Sequence, residues 1–186
     1  MALVSADGVF QDLSLIRDPG LAGMGFGGVG LLGSPESGNG PCSGMGGGVF
    51  QCQPMQRDGF TIEREVTFYD LNGVVMDAFE RGVTDRMVLV IDASGSRERG
   101  FWNASIVRHR DMTLNGLTTD LHTTSGTATE EVSRSRNPAE GSARSYDMTG
   151  SKVIQDLVHA VPRAENPYPL SGTITRQVHL VVTVDG

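Results

Sequence analysis

Long apolar runs are missing from this chain. No window reaches the roughly 18 consecutive apolar residues that a membrane-spanning helix needs. Apolar residues total 38% and aromatic residues only 6%, enough to bury one face of a sheet but not two layers of large side chains. Cations are few as well. Fifteen Lys and Arg against 22 Asp and Glu leave a net charge of −7. No basic run compensates locally, which opposes nucleic-acid and anionic-membrane partners. Lys152 is the only lysine; that bias fits a high-GC genome and carries no function. The opening Met1-Ala2-Leu3-Val4 lacks the basic and apolar regions of a signal peptide.

What the chain does have is alternation. In the last strand-like run Ile174, Val178, Leu180, Val182 and Val184 fall on one parity. Thr173, Thr175, Gln177, His179 and Thr183 fall on the other. A period of two puts these sets on opposite faces of a strand. Phe60, Ile62, Val66 and Phe68 repeat the pattern, with Arg64 the one charge on the apolar parity and free to extend its stem to solvent. Trp102, Ala104, Ile106, Met112 and Leu114 repeat it again. Asp70-Leu71-Asn72-Gly73 and Asn115-Gly116 read as hairpin turns, because Asn-Gly accepts positive φ.

These signals predict an all-β chain. The expected fold is an antiparallel meander forming one curved sheet or a partly open barrel. Residues 57–186 are the expected β domain, open to being truncated at its C-terminal end. Residues 1–56, which hold most of the 25 glycines, are the expected Gly-rich, poorly ordered segment. Val74 to Phe79 is expected to return from the first turn. Met87 to Ile91 reads as a short apolar strand, and Asp92-Ala93-Ser94-Gly95-Ser96 as a turn. The Thr-rich run 118–132 suits an edge or a two-sided polar strand. Residues 153–161 fit either a strand or two helical turns stopped by Pro162. Ile62, Val66, Phe68, Trp102, Ile106, Leu114, Ile174, Val178 and Leu180 are expected to share one buried face.

Chemical motifs do not assemble into a site. Gly25-Phe26-Gly27-Gly28-Val29-Gly30 matches a dinucleotide fingerprint, but no apolar strand feeds it and no helix follows. His109-Arg110-Asp111 lacks the other kinase elements. Asp70-Leu71-Asn72-Gly73 resembles the start of a calcium loop without the closing acid. Glu63 and Glu65 share a strand face, where solvation explains them better than acid–base work. Asn103-Ala104-Ser105 fits a glycosylation acceptor but sits mid-strand. His109, His122, His159 and His179 lack metal-ligand spacing. No catalytic, cofactor-binding or metal-binding residue is expected, and no enzyme.

Cys42 and Cys52 flank a Gly-rich stretch at hairpin-like spacing, which favours a disulfide over free thiols. A disulfide implies export to an oxidising compartment: the periplasm, the outer-membrane surface or the extracellular space. Met1 would then not be the true start. Otherwise the chain is cytoplasmic.

Tyr168-Pro169-Leu170-Ser171-Gly172-Thr173-Ile174-Thr175-Arg176 and Arg57-Asp58-Gly59-Phe60-Thr61-Ile62-Glu63-Arg64, with Phe68-Tyr69-Asp70, carry a resemblance. Over residues 40–186 the chain resembles a group of uncharacterised exported proteins, described as lipoproteins, from Gemmatimonadota and similar bacteria. The Cys42 and Cys52 pair and the Thr-rich stretch sit where that resemblance puts them. It implies an export signal before this chain's start and more strand after its end, and brings no assigned chemistry.

The leading expectation is a non-catalytic exported cell-envelope β-sheet protein with a binding or structural role. The alternative is a carrier holding a lipid or other apolar ligand on the concave face of its sheet. A concave apolar surface open to solvent would favour the carrier, and a filled core the structural role. Residues 173–184 combine high β-propensity with little charge, so self-association through that edge strand is expected.

Overall fold

A computed structural model of the chain describes residues 42–44, 47–57, 59–137, 142–162, 165–166 and 168–185. The Gly-rich stretch before Cys42, with its dinucleotide-like motif, lies outside the described residues. All described residues belong to one compact unit, Ser34–Gly186.

Among the described residues nine strands form a single sheet: β1 (Cys42–Gly44), β2 (Val49–Arg57), β3 (Phe60–Asp70), β4 (Val75–Met76), β5 (Thr84–Arg99), β6 (Trp102–Asn115), β7 (Leu121–Arg136), β8 (Arg144–Ala160) and β9 (Ser171–Val184). Their order is β1-β2-β3-β5-β6-β7-β8-β9, all antiparallel, with β4 on β3. The path has two ends and does not close into a barrel. β4 shares the β3 edge with β2: Val49 pairs Thr67, and Met76 pairs the next residue, Phe68. The expected meander is present, and it starts fifteen residues earlier than expected, at Cys42 rather than at residue 57. Strands β1 and β2 form in that stretch because β3 offers Val49, Phe50 and Cys52 a ladder to join.

Both Asn-Gly turns occur, with Gly73 at φ 76° and Gly116 at φ 78°. Asp70 fixes the first, its Oδ1 accepting from the N–H groups of Asn72 (2.9 Å) and Val74 (2.8 Å). The return strand shrinks to Val75–Met76. The turn expected at residues 92–96 does not form; β5 runs straight through it. Ladders on both sides override the local turn preference, with Ala93 between Ile62 and Arg108 and Gly95 between Phe60 and Ile106. A β-carbon at Gly95 would strike the Gly59 carbonyl oxygen and the Phe60 backbone. Glycine here permits a close strand approach rather than a turn.

The Thr-rich run is no edge. As β7 it lies between β6 and β8. Residues 153–160 belong to β8, which ends one residue before Val161, and their helix-like spacing has a physical cause. A bulge lies between Gln155 and Val158, with Asp156 at φ 47°. An added residue shifts parity, so Ile154 and Leu157 share a face although three apart.

The ladders assign every strand residue to one of two faces, because directly opposed residues share a side. Face A carries the rows Phe60–Gly95–Ile106–Val132–Met148–Leu180 and Val66–Leu89–Met112–Gly126–Ile154–Ile174. Face B carries the rows between them, such as Glu63–Asp92–His109–Thr129–Ser151–Gln177. The core lies on face A: Phe60, Ile62, Val66, Phe68, Ala93, Met112, Val132, Tyr146 and Ile154 are buried. The expected apolar face is correct in parity across all nine residues. Burial fails at its end, where Ile174 and Val178 are 50% and 51% exposed, because β9 has a neighbour on one side only among the described residues.

Candidate functional site: a basic, half-open sheet face

Alternation separates charge as well as hydropathy. Face B carries Glu63, Glu65, Asp92, Asp111, Glu131 and Asp147. Face A carries Arg64, Arg108, Arg110, Lys152 and Arg176 in its centre and Arg97, Arg134, Arg136 and Arg144 toward one end. In the paired rows from Phe60 to Phe68, Glu130 is the one carboxylate on face A. A chain of net negative charge therefore presents one strongly basic face.

The centre of face A is the row Arg64–Ile91–Arg110–Ala128–Lys152–Arg176. Beside it runs Ile62–Ala93–Arg108–Glu130–Gly150–Val178. Glu130 joins three strands. Its Oε2 accepts from Arg108 Nη2 on β6 at 3.1 Å, and its Oε1 from Arg176 Nη2 on β9 at 2.8 Å. The second bond crosses β8, and Gly150 makes the crossing. A β-carbon there would stand 2.8 Å from Glu130 Cγ and 2.9 Å from its Oε1.

Arg110 and Lys152 have no such carboxylate partner among the described residues. Burial, and then the adjacent Arg108, push the Arg110 guanidinium below its ordinary value; Glu130 offsets part of this. Burial also pushes Lys152 down, reinforced by Arg110 and Arg176 and opposed by Glu130. Between these two cations β7 supplies only Ala128, with Gly126 in the next row of the same face. The floor is low, and Glu130 offsets only part of the charge.

The cations near the end of face A are engaged differently. Arg134 stacks 3.9 Å over the Trp102 ring, and Arg136 lies 5.2 Å from the Phe101 ring centre. These contacts spread the charge over aromatic faces.

The residues singled out from sequence fall apart. Glu63 and Glu65 are exposed on face B. Asp111 is on face B while Arg110 is on face A. His109 meets Asp92 at 2.7 Å on the exposed side. Asn103 and Ser105 are exposed on β6. Asp70 serves its turn, and the N–H groups of Val74 and Asn72 hold its carboxyl below 3.8. No group of three or more His, Cys, Asp and Glu that could hold a metal occurs among the described residues. Cys42 and Cys52 are brought together: they are directly opposed in the β1–β2 ladder. No free cysteine occurs among the described residues. A further depression, about 560 Å³ and open to solvent, lies at the β8 bulge between Ser125, Gln155, Asp156 and Thr173.

The basic row is the feature that sequence reading missed. Its members are far apart in the chain, so no basic run exists to notice. The readable signal was parity: Arg108 and Arg110 keep step with Ile106 and Met112, and Arg176 with Ile174 and Val178.

Comparison with known proteins finds no matching family model, no matching curated protein and no matching solved structure. No helix among the described residues is long and apolar enough to cross a membrane.

Proposed function

We propose that this chain is a non-catalytic, exported binding protein of the cell envelope that carries an apolar or amphipathic ligand on face A. One observation carries the reading. Core residues of face A are buried on strands from β3 to β8, and the face opens at β9, where Ile174, Val178, Val182 and Val184 are exposed in step. Ile154 and Tyr146, opposite Ile174 and Val182, are buried. An exposed apolar margin of this kind favours a ligand over water. Export rests on the Cys42 and Cys52 register, which is within reach of a disulfide, and on the resemblance to exported proteins. The test is titration with a neutral naphthylamine probe whose fluorescence rises in apolar surroundings. Saturable binding, competed by dodecanol and weakened by Val178→Asp at unchanged melting temperature, is the expected result. Absence of saturable binding would refute the carrier role.

A structural role is the second reading, favoured by the β9 edge. Nearly all of β9 is exposed, no described strand pairs its outer edge, and Arg176 is its one formal charge. Two copies can pair antiparallel about Val178, setting Ile174 against Val182 and Arg176 against Leu180 with no like charges opposed. Sedimentation velocity should show a dimer that Val178→Lys disperses. A monomer at every concentration would end this reading.

A further inference from the structure

We infer that Arg110 and Lys152, facing each other across Ala128 with Arg176 beside them, form a headgroup subsite for the acidic group of an amphiphile, a carboxylate or phosphate monoester on an alkyl chain. The inference rests on the proposed ligand-carrying role of face A and names the chemistry of what it carries.

Three observations lead there. The first is charge. Arg64, Arg108, Arg110, Lys152 and Arg176 crowd one stretch of face A, and Glu130 is already shared by Arg108 and Arg176. Arg110 and Lys152 repel each other and are partly withdrawn from water. An anion between them relieves both costs, and charge-assisted hydrogen bonds are strong where water is scarce.

The second is space. One strand, β7, separates Arg110 from Lys152, and two inter-strand spacings put roughly 10 Å between their backbones. The residue between them is Ala128, so a headgroup can rest on the sheet with a cation on either side. Gly126 keeps the adjoining row low where an alkyl chain would leave the headgroup.

The third is what surrounds the charge. Rows of Leu89, Met112, Ile154 and Ile174, then Met87, Leu114 and Leu157, run beside the basic row on the same face. A polyanion such as nucleic acid needs a solvated basic surface along its length. A basic band set in apolar rows suits one anionic group with a hydrocarbon attached.

The experiment uses the whole 186-residue chain, with dodecanoate, dodecyl phosphate and dodecanol as probes below their micelle concentrations, read by calorimetry. Both anionic probes should bind about tenfold or more tightly than the alcohol, and their relative affinities tell carboxylate from phosphate recognition. The double variant Arg110→Gln/Lys152→Gln should lose that preference and keep its affinity for dodecanol, while Lys152→Arg keeps both. Equal affinity for acid and alcohol would overturn the subsite and leave the carrier role standing. Binding of none of the three would overturn both. Tighter binding of a single-stranded oligonucleotide than of either anion would overturn the assignment to an amphiphile. A measurement without substitution guards against a variant that fails to fold. Lys152 is the only lysine, so reductive methylation gives it its own side-chain NMR signal. Its titration midpoint should rise on adding dodecyl phosphate and stay put on adding dodecanol; an unmoved midpoint with the phosphate bound overturns the inference.

Discussion

Replacing Glu130 by Gln is the sharpest probe of how face A holds together. The substitution keeps the shape and removes the charge. Arg108 and Glu130 are 18% and 19% exposed, so their bond is largely shielded from solvent. Arg176 is 59% exposed, so its bond to the same carboxylate is mostly screened. Exposed pairs contribute about 0–1 kcal/mol, and breaking a fully buried pair costs about 3–5 kcal/mol. The Arg108 arm lies between these limits, and the neighbouring Arg110 and Lys152 lose their one nearby counter-charge. We expect a total loss of about 2–3 kcal/mol. At about 2–4 °C per kcal/mol for a chain of this size, the melting temperature should fall by about 4–12 °C. Urea unfolding of Glu130→Gln, Arg108→Gln and the double variant gives the coupling directly. It should reach about 1 kcal/mol or more for Arg108 and stay under about 1 kcal/mol for Arg176, where added salt should erase it. A Glu130→Gln variant as stable as the parent would refute the reasoning and make the central cations merely solvated.

Three further outcomes follow from the same description. Val66→Asp, at a residue 1% exposed, should cost several kcal/mol or abolish folding, whereas Val178→Asp should cost under about 1 kcal/mol in chemical unfolding. Lys152 has a folded pKa below its unfolded 10.5, so between the two the unfolded chain holds more protons and stability must rise with pH; Lys152→Met should flatten that rise, and an unchanged slope would show that Lys152 is not responsible. Mass measurement with alkylation should find Cys42 and Cys52 oxidised, and reduction should lower stability by about 2–3 kcal/mol on the loop-closure estimate; two freely alkylated thiols in protein exported by its host would remove the argument for an oxidising compartment.

The fold was legible wherever one face of a strand is buried, because alternation then carries the signal. β3, β6 and β9 read true for that reason. β5 was cut short at Asp92 because four turn-forming residues, Asp92, Ser94, Gly95 and Ser96, outweigh their context locally, and only the two flanking ladders reverse the balance. β8 was ambiguous because its bulge breaks the period. The edge position of residues 173–184 was legible, but the exposure of Ile174 and Val178 was not: parity says which side a residue takes, and only sheet order says whether a neighbour covers it. The same limit hid the basic row. Net charge averages over the chain, while the meander sorts it by side.

The meander also has a consequence for how the molecule opens. Its long ladders join consecutive strands, so the structure behaves as a zipper in which each long strand is held by its immediate neighbours. A strand with two neighbours cannot leave without breaking two ladders. Among the described residues β9 has one, joined to β8 across a bulge, and can peel away while the β3–β6 region stays intact. Sub-global opening of this kind draws on the least stable end of a fold. Arg176 would depart with it, releasing one arm of Glu130 and uncovering the far side of the basic row. If face A carries a ligand as proposed, the strand that bounds its open margin is therefore also the one best placed to swing aside and admit a bulky guest.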